Sequence, residues 1–105
     1  MALDIEKTNH NGESVITVAG EIDLYTSPKL RSAMIEAVPA DTTKLSVVLT
    51  EVRYMDSSGV ATLVEGLRDA REHNRTFTLV SPSEAVMKVL RLAKLDSVFD
   101  VSSAP

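Results

Sequence analysis

Apolar and polar residues alternate at the start of the chain: "LDIEKT" (3–8) sets Leu3 and Ile5 on one face, and "SVITVAG" (14–20) is rich in β-branched residues. The intervening "NHNG" (9–12) is a turn signal, so the two runs predict an opening hairpin. The spacing then shifts to threes and fours. Leu30, Ala33, Met34, Ala37 and Val38 predict an amphipathic helix over 27–38, with Ser27 as N-cap, Pro28 at the first helical position and Pro39 near its end. "KLSVVLTEV" (44–52) has a nearly continuous apolar centre, the pattern of a central strand covered on both faces. After "YMDSSG", Val60, Leu63, Val64, Leu67 and Ala70 form the buried stripe of a second helix, leaving Glu65, Arg68, Asp69 and Glu72 for its wet face.

"TFTLV" (76–80) alternates as a strand. "SPSEAVMKVLRLAKL" (81–95) predicts a third helix with Ser81 as cap, Pro82 at the first helical position and Glu84 completing a capping box. Val86, Val89, Leu90 and Ala93 are its predicted buried stripe, and a short strand near "VFDV" (98–101) precedes a frayed "SSAP" tail. Hairpin, helix, strand, helix, strand, helix and strand, joined by right-handed crossovers, predict an α/β fold: a mainly parallel, mixed sheet with an antiparallel opening strand.

Composition narrows the function. The 105 residues suit one domain, 1–105, and 44% hydrophobic with 25% charged residues is ordinary for a folded chain. A net charge of -4 leaves no basic footprint for nucleic acid, and 4% aromatic residues with no Trp offer few stacking surfaces, so a protein is the expected partner. The absence of Cys excludes disulfide and thiol chemistry, and two isolated histidines do not make a zinc site, so neither metal nor cofactor is expected. No secretory signal or membrane-spanning run is present, which points to the cytoplasm and away from a membrane partner; "NRT" (74–76) is then a chance glycosylation match.

"DSSG" (56–59) joins a strand to a helix, and Asp and Ser are preferred N-caps there. The carboxyl end of a strand is also where open α/β sheets place functional residues, so a serine hydroxyl at this point suits a nucleophile or a phosphate acceptor. The nucleophile lacks a base, because His10 falls in the hairpin turn and His73 at the far end of the second helix; "DSSG" is not a G-x-S-x-G elbow. Asp23 and Asp56 form a conceivable acid/base or magnesium pair, but no Gly-rich phosphate loop accompanies them. The acceptor remains: a phosphate at a helix N-terminus meets the positive end of the dipole, leaving the fold intact while adding about -1.5 to -2 charges.

"GEIDLYTSPKL" (20–30), "VVLTEVRYMDSSGVATLVEGLRDAR" (47–71) and "SPSEAVMKVLRLAKLDSVFDV" (81–101) together resemble the anti-sigma factor antagonists, single-domain proteins of the STAS fold with four to five strands and three to four helices. The resemblance spans nearly the whole chain. It implies a non-enzymatic regulator that, when unphosphorylated, binds an anti-sigma factor with serine kinase activity and frees a sigma factor, until phosphorylation of the first serine after the aspartate, here Ser57, dissolves the complex. A serine phosphatase resets it. Carried across residue by residue, Asp56 holds the acceptor loop, Ser58 and Gly59 shape the start of the helix, and Gly20, Glu21, Asp23 and Tyr25 lie on a loop beside the acceptor. Thr62 and Glu65 are further interface candidates on the exposed face of the second helix. Where relatives use glycine after that helix, this chain has Asn74, which also tolerates the left-handed conformation. The same fold also serves as a non-switching scaffold or as a subunit of stress-signalling or lipid-transport complexes.

Overall fold

The first two strands, β1 (Leu3–His10) and β2 (Glu13–Ile22), pair antiparallel from Leu3 opposite Gly20 to His10 opposite Glu13. Asn11 and Gly12, both at positive φ (48° and 79°), close this hairpin, the two-residue turn whose twist matches that of the strands. The structure, a computed structural model, describes residues 2–103. Helix α1 (Ser27–Arg31) runs into a π-helical turn (Ser32–Glu36); β3 (Lys44–Met55), α2 (Ser57–Glu72), β4 (Thr76–Val80), α3 (Glu84–Leu92) and β5 (Asp100–Ser102) follow. The single five-stranded sheet has the order β1-β2-β3-β4-β5, parallel from β2 onward.

Each crossover steps one strand in the same direction, so right-handed connections lay all three helices on one face of the sheet. The core lies between: Ile16, Val18 and Ile22 of β2, Leu45, Val47 and Leu49 of β3, and Phe77 and Leu79 of β4 form one cluster with Leu30, Leu63 and Leu90 of the helices. The alternate residues Val15 and Val48 lie outside that cluster and are only half-buried, while Thr17 and Thr50 are exposed. This corrects the expectation of a β3 covered on both faces. Val48 is the half-buried residue that makes the run continuous, and register shifts against β2, after Thr17 and after Gly20, change the phase further on, so that Val52 and Met55 continue the buried face.

Three helix boundaries also differ from expectation. Ser27 is buried and already helical; Thr26 precedes it at α1, and makes no side-chain cap bond because its hydroxyl donates to the Glu21 carbonyl (2.8 Å) and accepts from the Asp23 amide (2.9 Å). Past Arg31 the helix widens, with the Ala37 amide reaching back to the Ser32 carbonyl at 2.9 Å. At α3 the cap is Ser83, whose Oγ accepts from the Val86 amide (3.3 Å). Ser81 takes a positive φ (46°) and donates through N–H and Oγ to the carbonyls of Ser102 and Ser103, so no capping box forms and Glu84 instead pairs with Arg91. Asn74 takes the expected left-handed C′ position (φ 56°), and the Arg75 amide closes the motif on the Ala70 carbonyl (2.8 Å). β5 starts later than predicted because Phe99 turns inward onto Phe77, with ring centroids 6.3 Å apart. Of the predicted frayed tail, Ala104 and Pro105 lie outside the described residues.

Candidate functional site

The carboxyl ends of two neighbouring parallel strands build the site. Ile22 ends β2 opposite Met55 at the end of β3, and the Asp56 amide donates to the Ile22 carbonyl at 3.2 Å, so the segments 23–26 and 56–59 leave the sheet side by side.

Asp56 is the N-cap of α2. Its extended backbone (φ -114°, ψ -170°) turns the carboxylate onto the helix, where Oδ1 accepts from the amides of Ser58 (2.9 Å) and Gly59 (3.4 Å). Neither serine is the cap. Ser57 is the first helical residue, exposed, with a hydroxyl that has no hydrogen-bond partner among the described residues. Ser58 is half-buried and contributes backbone: its amide to Asp56 and its carbonyl to the Thr62 hydroxyl. Gly59 is buried because α2 starts tight against the strand ends; a Cβ there would come 2.8 Å from Ile22 Cγ2 and closer still to Met55. Asp56→Ala should therefore destabilise the protein by about 1 kcal/mol, whereas Ser57→Ala stays within about 0.5 kcal/mol of wild type. Urea denaturation of both variants checks this; a loss falling on Ser57→Ala and not on Asp56→Ala would place the cap on Ser57.

The neighbouring segment is held by a second carboxylate. Asp23 Oδ1 accepts from the amides of Tyr25 (2.9 Å) and Thr26 (3.0 Å). Chiefly the Thr26 amide holds the Asp23 carboxyl below its usual value; desolvation opposes this, and the Tyr25 amide and Thr26 hydroxyl add to it. This hydrogen-bonded turn presents Leu24 (67% exposed) and Tyr25 (88%) to solvent beside the end of β3, from which α2 and Ser57 follow. Asp23 and Asp56 thus each bind their own segment's amides, and among the described residues no group of three or more His, Cys, Asp or Glu could hold a metal.

Of the expected interface residues, Tyr25 and Ser57 are exposed and Asp23, Asp56 and Ser58 half-buried around them. Thr62 is a correction: it is 5% exposed, with Oγ1 donating to the Ser58 carbonyl at 2.9 Å. Gly59, Thr62 and Gly66 form a small-residue face of α2: Gly59 sits against Ile22 and Met55 at the strand ends, and Gly66 against Met34 of the π-helical turn, so the helix buries a wider arc than its apolar stripe. Glu65 is engaged by Arg31 at 2.8 Å. Gly20 lies within β2, not on the loop, and its φ of +118° sets it against the Ala2 carbonyl. His10 sits at the opposite end of the sheet in the hairpin, and His73 caps the far end of α2, about 24 Å along the helix from Ser57. Sequence reasoning missed Leu24 as an exposed companion of Tyr25; its signal was an apolar residue inside a turn.

Residues 5–100 match the family described as "Mlab, STAS domain". The chain belongs to the STAS domain family. The anti-sigma-B factor antagonist of Listeria monocytogenes is 29% identical, over 98% of this chain and 91% of that one. The anti-sigma factor antagonist of Mycobacterium paratuberculosis superposes with a TM-score of 0.84 at 29% identity, covering 98% of this chain and 87% of that one. The Bacillus cell fate determinant SpoIIAA in its phosphorylated form shares the fold at 22% identity, with a TM-score of 0.68 and coverage of 97% and 92%. No described helix of this STAS domain is long and apolar enough to cross a membrane.

Proposed function

We propose that this STAS domain is an anti-sigma factor antagonist switched by phosphorylation of Ser57. The observation that carries the reading is Ser57 itself: an exposed, unengaged hydroxyl on the first residue of a 16-residue helix whose cap is supplied by its neighbour. A phosphate there sits at the positive end of the helix dipole and displaces no existing bond, so modification leaves the domain folded and changes only the surface. The unmodified protein binds an anti-sigma factor with serine kinase activity through Leu24, Tyr25 and the start of α2, releasing the sigma factor; the phosphate breaks the complex and a serine phosphatase restores it. The domain is a substrate and binder, not an enzyme. Support comes from relatives named anti-sigma-B factor antagonist and from a protein of this fold solved in a phosphorylated form.

Incubated with its cognate kinase and ATP, the wild type should gain one phosphate by intact mass spectrometry, and Ser57→Ala should gain none. A phosphate on the alanine variant moves the acceptor elsewhere; no phosphate on the wild type favours a non-switching STAS subunit.

A further inference from the structure

The stripes expected to be buried on α2 and α3 are wider than the core they meet. Val64 and Val89 are only half-buried and Ala93 is exposed, and Leu92, outside the expected stripe, is 77% exposed. Between the two helices these residues floor an open, mainly apolar groove of about 600 Å³ that begins at Ser57 and ends at Arg68. A smaller groove of about 240 Å³, carrying Lys88, shares Val89 and Leu92 with it.

Two cations without ion-pair partners among the described residues flank the groove although the chain carries a net charge of -4. Arg68 stands on the α2 wall and Lys88 beside the α3 wall, and among the described residues neither has an ion-pair partner within 4 Å. Glu65, which also lines the groove, is paired with Arg31 at 2.8 Å, and Asp69 with His73 and Arg75 at 3.6 and 3.9 Å; Glu72, one turn past Arg68, makes no ion pair within 4 Å of either cation. The eleven-residue rise from Ser57 to Arg68 spans about 16 Å, three helical turns.

We propose that this groove docks an acidic amphipathic helix of a partner protein, three turns long, with apolar residues at i, i+4 and i+7 over Val64, Val89 and Leu92 and carboxylates facing Arg68 and Lys88. An apolar floor between two free cations complements that face and repels a basic one. The inference extends the reading of Ser57, because a phosphate at the mouth of the groove repels the same acidic helix.

The test titrates ¹⁵N-labelled protein with a synthetic fifteen-residue amphipathic peptide bearing Leu at those spacings and Glu on its flanks, with the Lys-flanked counterpart, and with oleate. Saturable shifts at the amides of Val64, Val89 and Leu92 with the Glu peptide are expected, weakened about tenfold or more in R68E/K88E. Equal or tighter binding of the Lys peptide, shifts centred elsewhere, or occupation by oleate alone overturns the proposal. Leu92→Asp, on an exposed position, should also abolish the shifts with unchanged circular dichroism; retained binding overturns it. Phosphate on Ser57 without peptide binding sinks the groove alone, while groove binding without any phosphate sinks only the switch.

Discussion

Gly20→Ala should lower the melting temperature by more than about 10 °C, the equivalent of about 3 kcal/mol for a domain of this size. Two costs combine. At φ +118° an L side chain is strained, and the new Cβ would overlap the Ala2 carbonyl oxygen, which accepts from the Glu21 amide at 3.2 Å. Relief requires β1 to move, and Leu3, 4% exposed, leaves the core with it. Thermal unfolding followed by circular dichroism reads the result, and a variant melting within about 3 °C of wild type would contradict the close approach. Because β2 carries the Asp23 turn at its end, the same variant should expose the amides of Tyr25 and Thr26 to faster hydrogen exchange.

Ser57→Asp should weaken binding to the proposed partner kinase by about a hundredfold, the equivalent of ~2.7 kcal/mol for a charge placed against a complementary surface. Its stability should stay close to wild type, because Ser57 makes no side-chain bond to lose and an acidic side chain suits the first turn of α2, which has no acidic residue. Isothermal titration and thermal melting of the same preparation separate the two effects. Unchanged affinity would remove Ser57 from the interface; an unfolded variant would refute a surface at Ser57 free to accept charge. An aspartate carries less charge than a phosphate, so the measured loss is a lower bound for the modified protein.

Legibility in the sequence was uneven, for reasons that differ by element. The hairpin was written locally, since "NG" between alternating runs satisfies a two-residue turn on its own terms. The stop of α2 at Asn74 was equally local. The start of α3 was not: Ser81 and Ser83 both offer capping hydroxyls two residues apart, and the choice fell to Ser83 because Ser81 is tied to Ser102 and Ser103, far along the chain. Thr62 misled because burial depends on what lies opposite, and Met34 of the π-helical turn packs close to the same face of α2 at Gly66. The groove was hidden by the same logic: an apolar stripe states which residues avoid water, not whether a neighbour arrives to cover them.

By itself the sequence determined the order and type of the main elements and, through three motif blocks, the family, because turns, caps and periodicity act over a few residues. Tertiary structure decided the rest. The pairing of Ile22 with Met55 brings two segments 33 residues apart into one surface; Asp56 and not a serine caps α2; and all helices share one face of the sheet, leaving Val64, Val89 and Leu92 open to water in part or in most of their surface. Those outcomes depend on long-range register and packing, which no local pattern of residues encodes.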